Sequence, residues 1–228
     1  MTIPETASAH NWQVTVLAVA PATLLLALVA HPFIEGRLPN RTAIAEEVVA
    51  GTTRWGVVHL AASLASALIA VAFLAVRNHI HEAGEDGLRL SLAMPLVIVG
   101  STLYAVLPGM EFAALAAAEA GATTAEVAEV QDAIGPWFMP VLIASGLTFG
   151  LGVISFVRAI RASKIASAGI TKVVSVALIV MALSRVVPLS ATQFYIHGLA
   201  AVVAMWPLAY VMRTNPRRSH GPSAAIVG

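Results

Sequence analysis

The sequence predicts an all-α protein embedded in a lipid bilayer, and three observations carry that prediction. Of the 228 residues 58% are apolar and only 11% charged, whereas soluble domains average about half apolar and about a quarter charged. The charges are clustered, and they leave between them apolar stretches at least as long as the roughly 18 residues that mark a candidate membrane span. Lys and Arg also collect on alternate connections, the asymmetry that sets orientation in membrane proteins. A chain of this length accommodates about six spans of roughly 20 residues with short connections. The expected architecture is one transmembrane domain over residues 1–228, a bundle of six helices with a short interfacial helix on its outer side.

The first span, residues 12–32, lies in an uncharged stretch from Ala7 to Ile34. No Lys or Arg precedes Arg37, so the stretch lacks the positive region of a secretory signal and reads as a retained helix. The second, residues 55–76, is bounded by Arg54 and Arg77, and the third, residues 90–110, by Arg89 and Glu111. Ahead of the fourth, residues 135–157, Thr123-Thr-Ala-Glu126 has the form of a capping box. Val127, Val130 and Ile134 then share one face, which predicts a separate amphipathic helix lying at the outer interface. The fifth span, residues 171–189, contains Arg185 and ends at a tight turn over residues 188–192. The sixth covers residues 193–212.

Pro21, Pro95, Pro108, Pro140 and Pro207 fall in or near spans and each can kink its helix. Pro108-Gly109 would bend the third helix just before Glu111. Gly146 and Gly150 form a GxxxG pattern that favours close helix packing, within the chain or between protomers. Trp55, Trp137, Tyr195 and Trp206 stand near span ends, where aromatic rings anchor at the interface.

With the N-terminus inside, nine basic residues fall on the cytoplasmic side: Arg77, Arg89, Arg158, Arg161, Lys164, Lys172, Arg213, Arg217 and Arg218. Only Arg37, Arg41 and Arg54 fall outside, with Arg185 inside a span. The expectation is a multi-pass protein of the inner (plasma) membrane with both termini cytoplasmic. A formal net charge of +1 gives no basic field for nucleic acid. With no cysteine, disulfides, thiolate metal sites and iron–sulfur clusters are excluded. The expected partners are the bilayer itself and a second copy or another membrane protein.

Ionisable and polar groups inside a membrane are costly and mark functional positions. Under this topology they gather at one depth near the outer face. His31 ends the first helix, and Trp55, His59, Ser63 and Ser66 share a stripe of the second. Ser101, Tyr104, Pro108 and Glu111 share a stripe of the third, Arg185 closes the fifth, and Gln193 and His197 open the sixth. Three chemistries could use such a cluster. His31, His59, Glu111 and His197 suit a divalent metal of the zinc class. His59 and His197 could hold a b-type haem from both faces. Arg185, with Gln193, Tyr104 and Trp55, could instead cradle a ligand, pairing with an acidic group. No HExxH, EF-hand, P-loop or dinucleotide motif accompanies them.

Structural readings stand beside these. Arg185 can form an ion pair with Glu111, and histidines in the first turns of a span commonly hydrogen-bond to neighbouring helices. His79 and His81, with Glu82, Glu85 and Asp86, read as a solvated inner loop, and His10 and His220 as tail residues. His31-Pro32, Trp55 with His59-Leu60, and Glu111-Phe-Ala-Ala114 together resemble small six-helix membrane proteins of actinobacterial type, a family with no assigned activity. The resemblance implies a six-helix fold and adds no catalytic residue. The expected function is a membrane protein with an outward-facing His/Glu/Arg pocket for a small ligand, metal or haem; the alternatives are a small transporter or channel-like module, and a structural partner in a membrane complex.

Overall fold

The computed structural model describes residues 5–84 and 87–214, and only the backbone of residues 5–10, 88 and 89. Glu85, Asp86, Arg217, Arg218 and His220, with the side chains of His10 and Arg89, lie outside the described residues. The chain is all-α: α1 (Glu5–Ala30), α2 (Arg41–Ala50), α3 (Thr52–Glu82), α4 (Leu88–Met110), α5 (Phe112–Glu119), α6 (Thr124–Ser163), α7 (Ala168–Ser184), a π-helical turn (Ala191–Ile196) and α8 (His197–Thr214). Five segments are long and apolar enough to cross a membrane by length and composition, and the apolar α7, with 17 residues, is shorter.

Local chemistry sets the helix ends. Asn40 accepts from the Ala43 amide to start α2, and Ser167 accepts from Ile170 to start α7. Thr123 and Glu126 form the expected capping box, with the Thr123 amide donating to Glu126 Oε2 at 2.7 Å. Lys164, at φ 50°, takes the left-handed conformation that closes α6.

Three sequence expectations are corrected here. The amphipathic segment after Thr123 is not a separate helix: it forms the first turns of the 40-residue α6, which runs unbroken through Pro136 and Pro140. Prolines are tolerated in apolar helices where neighbouring groups re-satisfy the freed carbonyls. Its apolar side, with Val127 fully buried, packs with α2 and α5. The loop expected around His79 is the last turn of α3, and His79 is buried. The GxxxG pair does not act as a pair within the chain, because Gly146 is pressed against Val186 while Gly150 has nothing within 4 Å.

Close packing instead centres on α4 and α6. A Cβ on Gly100 would lie 2.5 Å from the Phe149 amide, and one on Gly152 2.9 Å from that of Val97. Phe149 and Phe156 of α6 close on Phe73 of α3, with ring centroids 5.8 and 4.9 Å away. On the other side α1 packs on α3 and α8, and Leu25 abuts Gly198.

At one end of the bundle the chain builds a cap from the segment after α1, together with α2, α5 and the start of α6. Ile34, Ile44, Val48, Trp55, Leu115 and Val127 give this cap an apolar cluster distinct from the main core. The post-α7 turn is tied to it: the Leu38 amide donates to Pro188 O at 2.9 Å, and Ser190 Oγ to Ile34 O.

Candidate functional site: a capped cavity and the buried arginine beneath it

Beneath the cap lies a cavity of about 340 Å³, within the roughly 300–1,000 Å³ of small-molecule sites. Residues of α1, α3, α4, α6 and the post-α7 turn reach it, as does the segment that follows α1. Most of its wall is apolar. The polar side chains come in two groups on different helices.

The first group is a run of rings. Trp55 and His59, one turn apart on α3, stack with centroids 4.3 Å apart. His31, just past the end of α1, sits 4.9 Å from His59 and 4.3 Å from Phe194. Each histidine donates Nδ1–H to a nearby carbonyl at 2.7 Å, His31 to Pro32 and His59 to Trp55. With that proton on Nδ1, Nε2 is the atom left to meet a ligand.

The second group forms where α4 breaks. Pro108-Gly109 precedes the end of α4 at Met110, and α5 restarts at Phe112. Glu111, at the junction, is 7% exposed and accepts from Gln131 Nε2 of α6 at 2.5 Å; Gln131 is 5% exposed. This hydrogen bond fastens the broken end of α4 to α6 within the cavity wall. It also corrects the expected ion pair between Glu111 and Arg185: the carboxylate is engaged by an amide. Among the described residues the ion pair is instead Arg41, on the cavity wall, with Asp132, both about half exposed.

Two α4 turns below Glu111, Tyr104 lines the same cavity, and beyond it lies Arg185. The guanidinium, 1% exposed, is stacked between Phe149 at 3.5 Å and Tyr104 at 4.3 Å, and none of its three nitrogens has a hydrogen-bond partner among the described residues. His197 packs on Tyr104 from another side, with centroids 5.8 Å apart. Its Nδ1 donates to Met181 O at 2.9 Å and lies 3.0 Å from Ser184 Oγ, which ties the start of α8 to α7.

The cavity therefore gathers His31, Trp55, His59, Tyr104, Glu111 and Gln193 among the expected site residues, and leaves out Arg185 and His197. Gln193 reaches across to donate to the Arg185 carbonyl at 3.2 Å. The expected metal set is not assembled: among the described residues no three His, Asp or Glu side chains group as one metal site would need. Nor does a haem slot join His59 to His197, since the cavity that His59 lines does not reach His197. Trp55 is cavity wall and not an interfacial anchor, being 2% exposed, whereas Trp137 and Trp206 are exposed at 74% and 52%. Sequence reading missed Gln131 and Phe149. Gln131 falls four residues after Val127, on the apolar side of the amphipathic turns, and a polar residue on that face was a legible signal. Phe149 offered none, being one apolar residue among many. No family model, curated protein or solved structure matches the chain.

Proposed function

We propose that the protein is an integral membrane protein of the plasma membrane that binds a small amphiphilic molecule in the capped cavity, with the cap on the outer side. The observation that carries this reading is the two-sidedness of the cavity wall. Met139, Ile143 and Val186 line the cavity and are 39%, 52% and 48% exposed, so this part of the wall is apolar and open to the surroundings. A molecule dissolved in hydrocarbon meets apolar side chains there first. On the same wall, the His31–His59 rings and the Glu111–Gln131 pair offer hydrogen-bonding groups for polar atoms of the ligand. Outward placement of the cap rests on charge: the connections at that end carry Arg37, Arg41 and Arg54, while Arg77, Arg158, Arg161, Lys164, Lys172 and Arg213 fall toward the other.

The test uses ω-bromododecanol, whose bromine quenches tryptophan on contact. Trp12, Trp137 and Trp206 are changed to Phe so that Trp55 alone reports from the cavity, and the protein is placed in lipid nanodiscs. Saturable quenching that is lost when Ala62→Phe fills the cavity supports the reading, the quench being compared with the signal before probe is added. Quenching that rises linearly with probe and ignores the filled cavity refutes it.

A further inference from the structure

Arg185 is the least explained group in the molecule. It is a full charge inside an apolar bundle, and among the described residues its three nitrogens lack acceptors and no carboxylate is paired with it. Burying an ion is costly even after relaxation unless a partner offsets it. Aromatic faces offset part of that cost for a desolvated cation, and Phe149 and Tyr104 supply two such faces. They meet the charge of the guanidinium and accept none of its hydrogens. Its N–H donors, the ones that match a carboxylate or phosphate in a two-bond fork, have no acceptor among the described residues.

Tyr104 is what separates those donors from the cavity, because the same ring lines the cavity on one side and packs on the guanidinium on the other. The open volume lies on the ring's cavity side, so a rotation of Tyr104 has space to move into. Glu111, the acidic side chain of the cavity wall, lies seven residues along α4. That places its backbone roughly 10 Å farther along the helix axis, and its carboxylate is already engaged by Gln131. His197, the other ionisable side chain against Tyr104, is basic and does not oppose a negative group.

We infer that Arg185 is an acceptor site for an anionic oxygen group, carboxylate or phosphate, which enters through the cavity and displaces the Tyr104 ring from the guanidinium. The inference rests on the proposed binding of an amphiphile and assigns its head group a charge. The apolar body then lies along the Met139 and Ile143 side, while the head takes the in-plane fork of Arg185. Tyr104 acts as the partition, closed over the cation while the site is empty and moved aside when the anion arrives.

Trp55 quenching by ω-bromododecanoate, at a mildly alkaline pH that ionises it, is compared with quenching by ω-bromododecanol. A charge-assisted fork is worth about tenfold or more in affinity, so the carboxylate is expected to bind at least about tenfold tighter than the alcohol. Arg185→Gln is expected to abolish that preference, and Arg185→Lys, which keeps the charge and loses the fork, to retain only part of it. If Arg185→Gln does not fold, the wild-type comparison and Arg185→Lys still decide. Inorganic phosphate separates the sources: competition with the carboxylate assigns the site to a free anion, and the absence of competition assigns it to a lipid-borne head. Equal affinity for the two probes in the wild type, or a preference that survives Arg185→Gln, overturns the inference while leaving the amphiphile reading intact. Saturable quenching by neither probe removes the amphiphile reading itself.

Discussion

The two halves of the bundle are built from the same apolar residues and reach opposite results. Toward the uncapped end Phe73, Phe149 and Phe156 interlock, and Gly100 and Gly152 let α4 and α6 approach until no Cβ fits between them. At the capped end α4 breaks at Glu111, α7 stops at Ser184, and the chain turns through the π-helical segment Ala191–Ile196. Helices that end early cannot fill the space between their neighbours. The interior there holds a cavity with His31, His59, Glu111 and Gln131 on its walls. The contrast shows how an apolar chain leaves an internal space: by interrupting helices at one end while glycine contacts draw the helices of the other together. π-helical turns are themselves uncommon and concentrate at functional sites.

The contrast can be sharpened by removing equal volumes from each half. Phe156→Ala, at a fully buried position against Phe73, is expected to cost about 3 kcal/mol. That is the low end of the roughly 3–5 kcal/mol for such truncations, because lipid is as apolar as the core and mainly packing is lost. Phe138→Ala, at a partly exposed position on the cavity wall, enlarges a space that is already open and is expected to cost under about 1 kcal/mol. Thermal unfolding in one detergent checks the pair. Equal losses would mean that the capped end is packed as tightly as the other.

A smaller effect separates two glycines of one helix. Gly152→Ala places a methyl against the Val97 backbone and is expected to cost about 1–3 kcal/mol through overpacking. Gly150→Ala meets nothing within 4 Å and is expected to be neutral or to raise stability by up to about 1 kcal/mol through helix propensity. A comparable loss at both positions would contradict the α4–α6 contact described.

The spans were legible because charge depletion and helix length are local properties of the sequence. The capping box at Thr123 and the polar stripe from Tyr104 to Glu111 were legible for the same reason. What the stripes meet was not. Glu111 faces Gln131 and not Arg185 because α6 begins well before its expected span, which brings its first turns over the cavity. His59 and His197 share a depth but stand in different surroundings, since depth fixes only one of three coordinates. Arg185 fell under Tyr104 and Phe149 for the same reason, through helix rotations that periodicity does not specify.

The most direct test of an accessible cavity at one end of an otherwise closed bundle uses the absence of cysteine from the chain. Ala62 and Ala72 are both alanines of α3 and both buried, but Ala62 lines the cavity and Ala72 belongs to the packed core. Ala62→Cys and Ala72→Cys are each treated in nanodiscs with a small, membrane-permeant methanethiosulfonate, and labelling is followed by mass. Fast labelling of the Ala62→Cys protein, slowed by ω-bromododecanoate, with the Ala72→Cys protein inert, is the predicted result. Equal labelling rates for the two proteins would contradict the account.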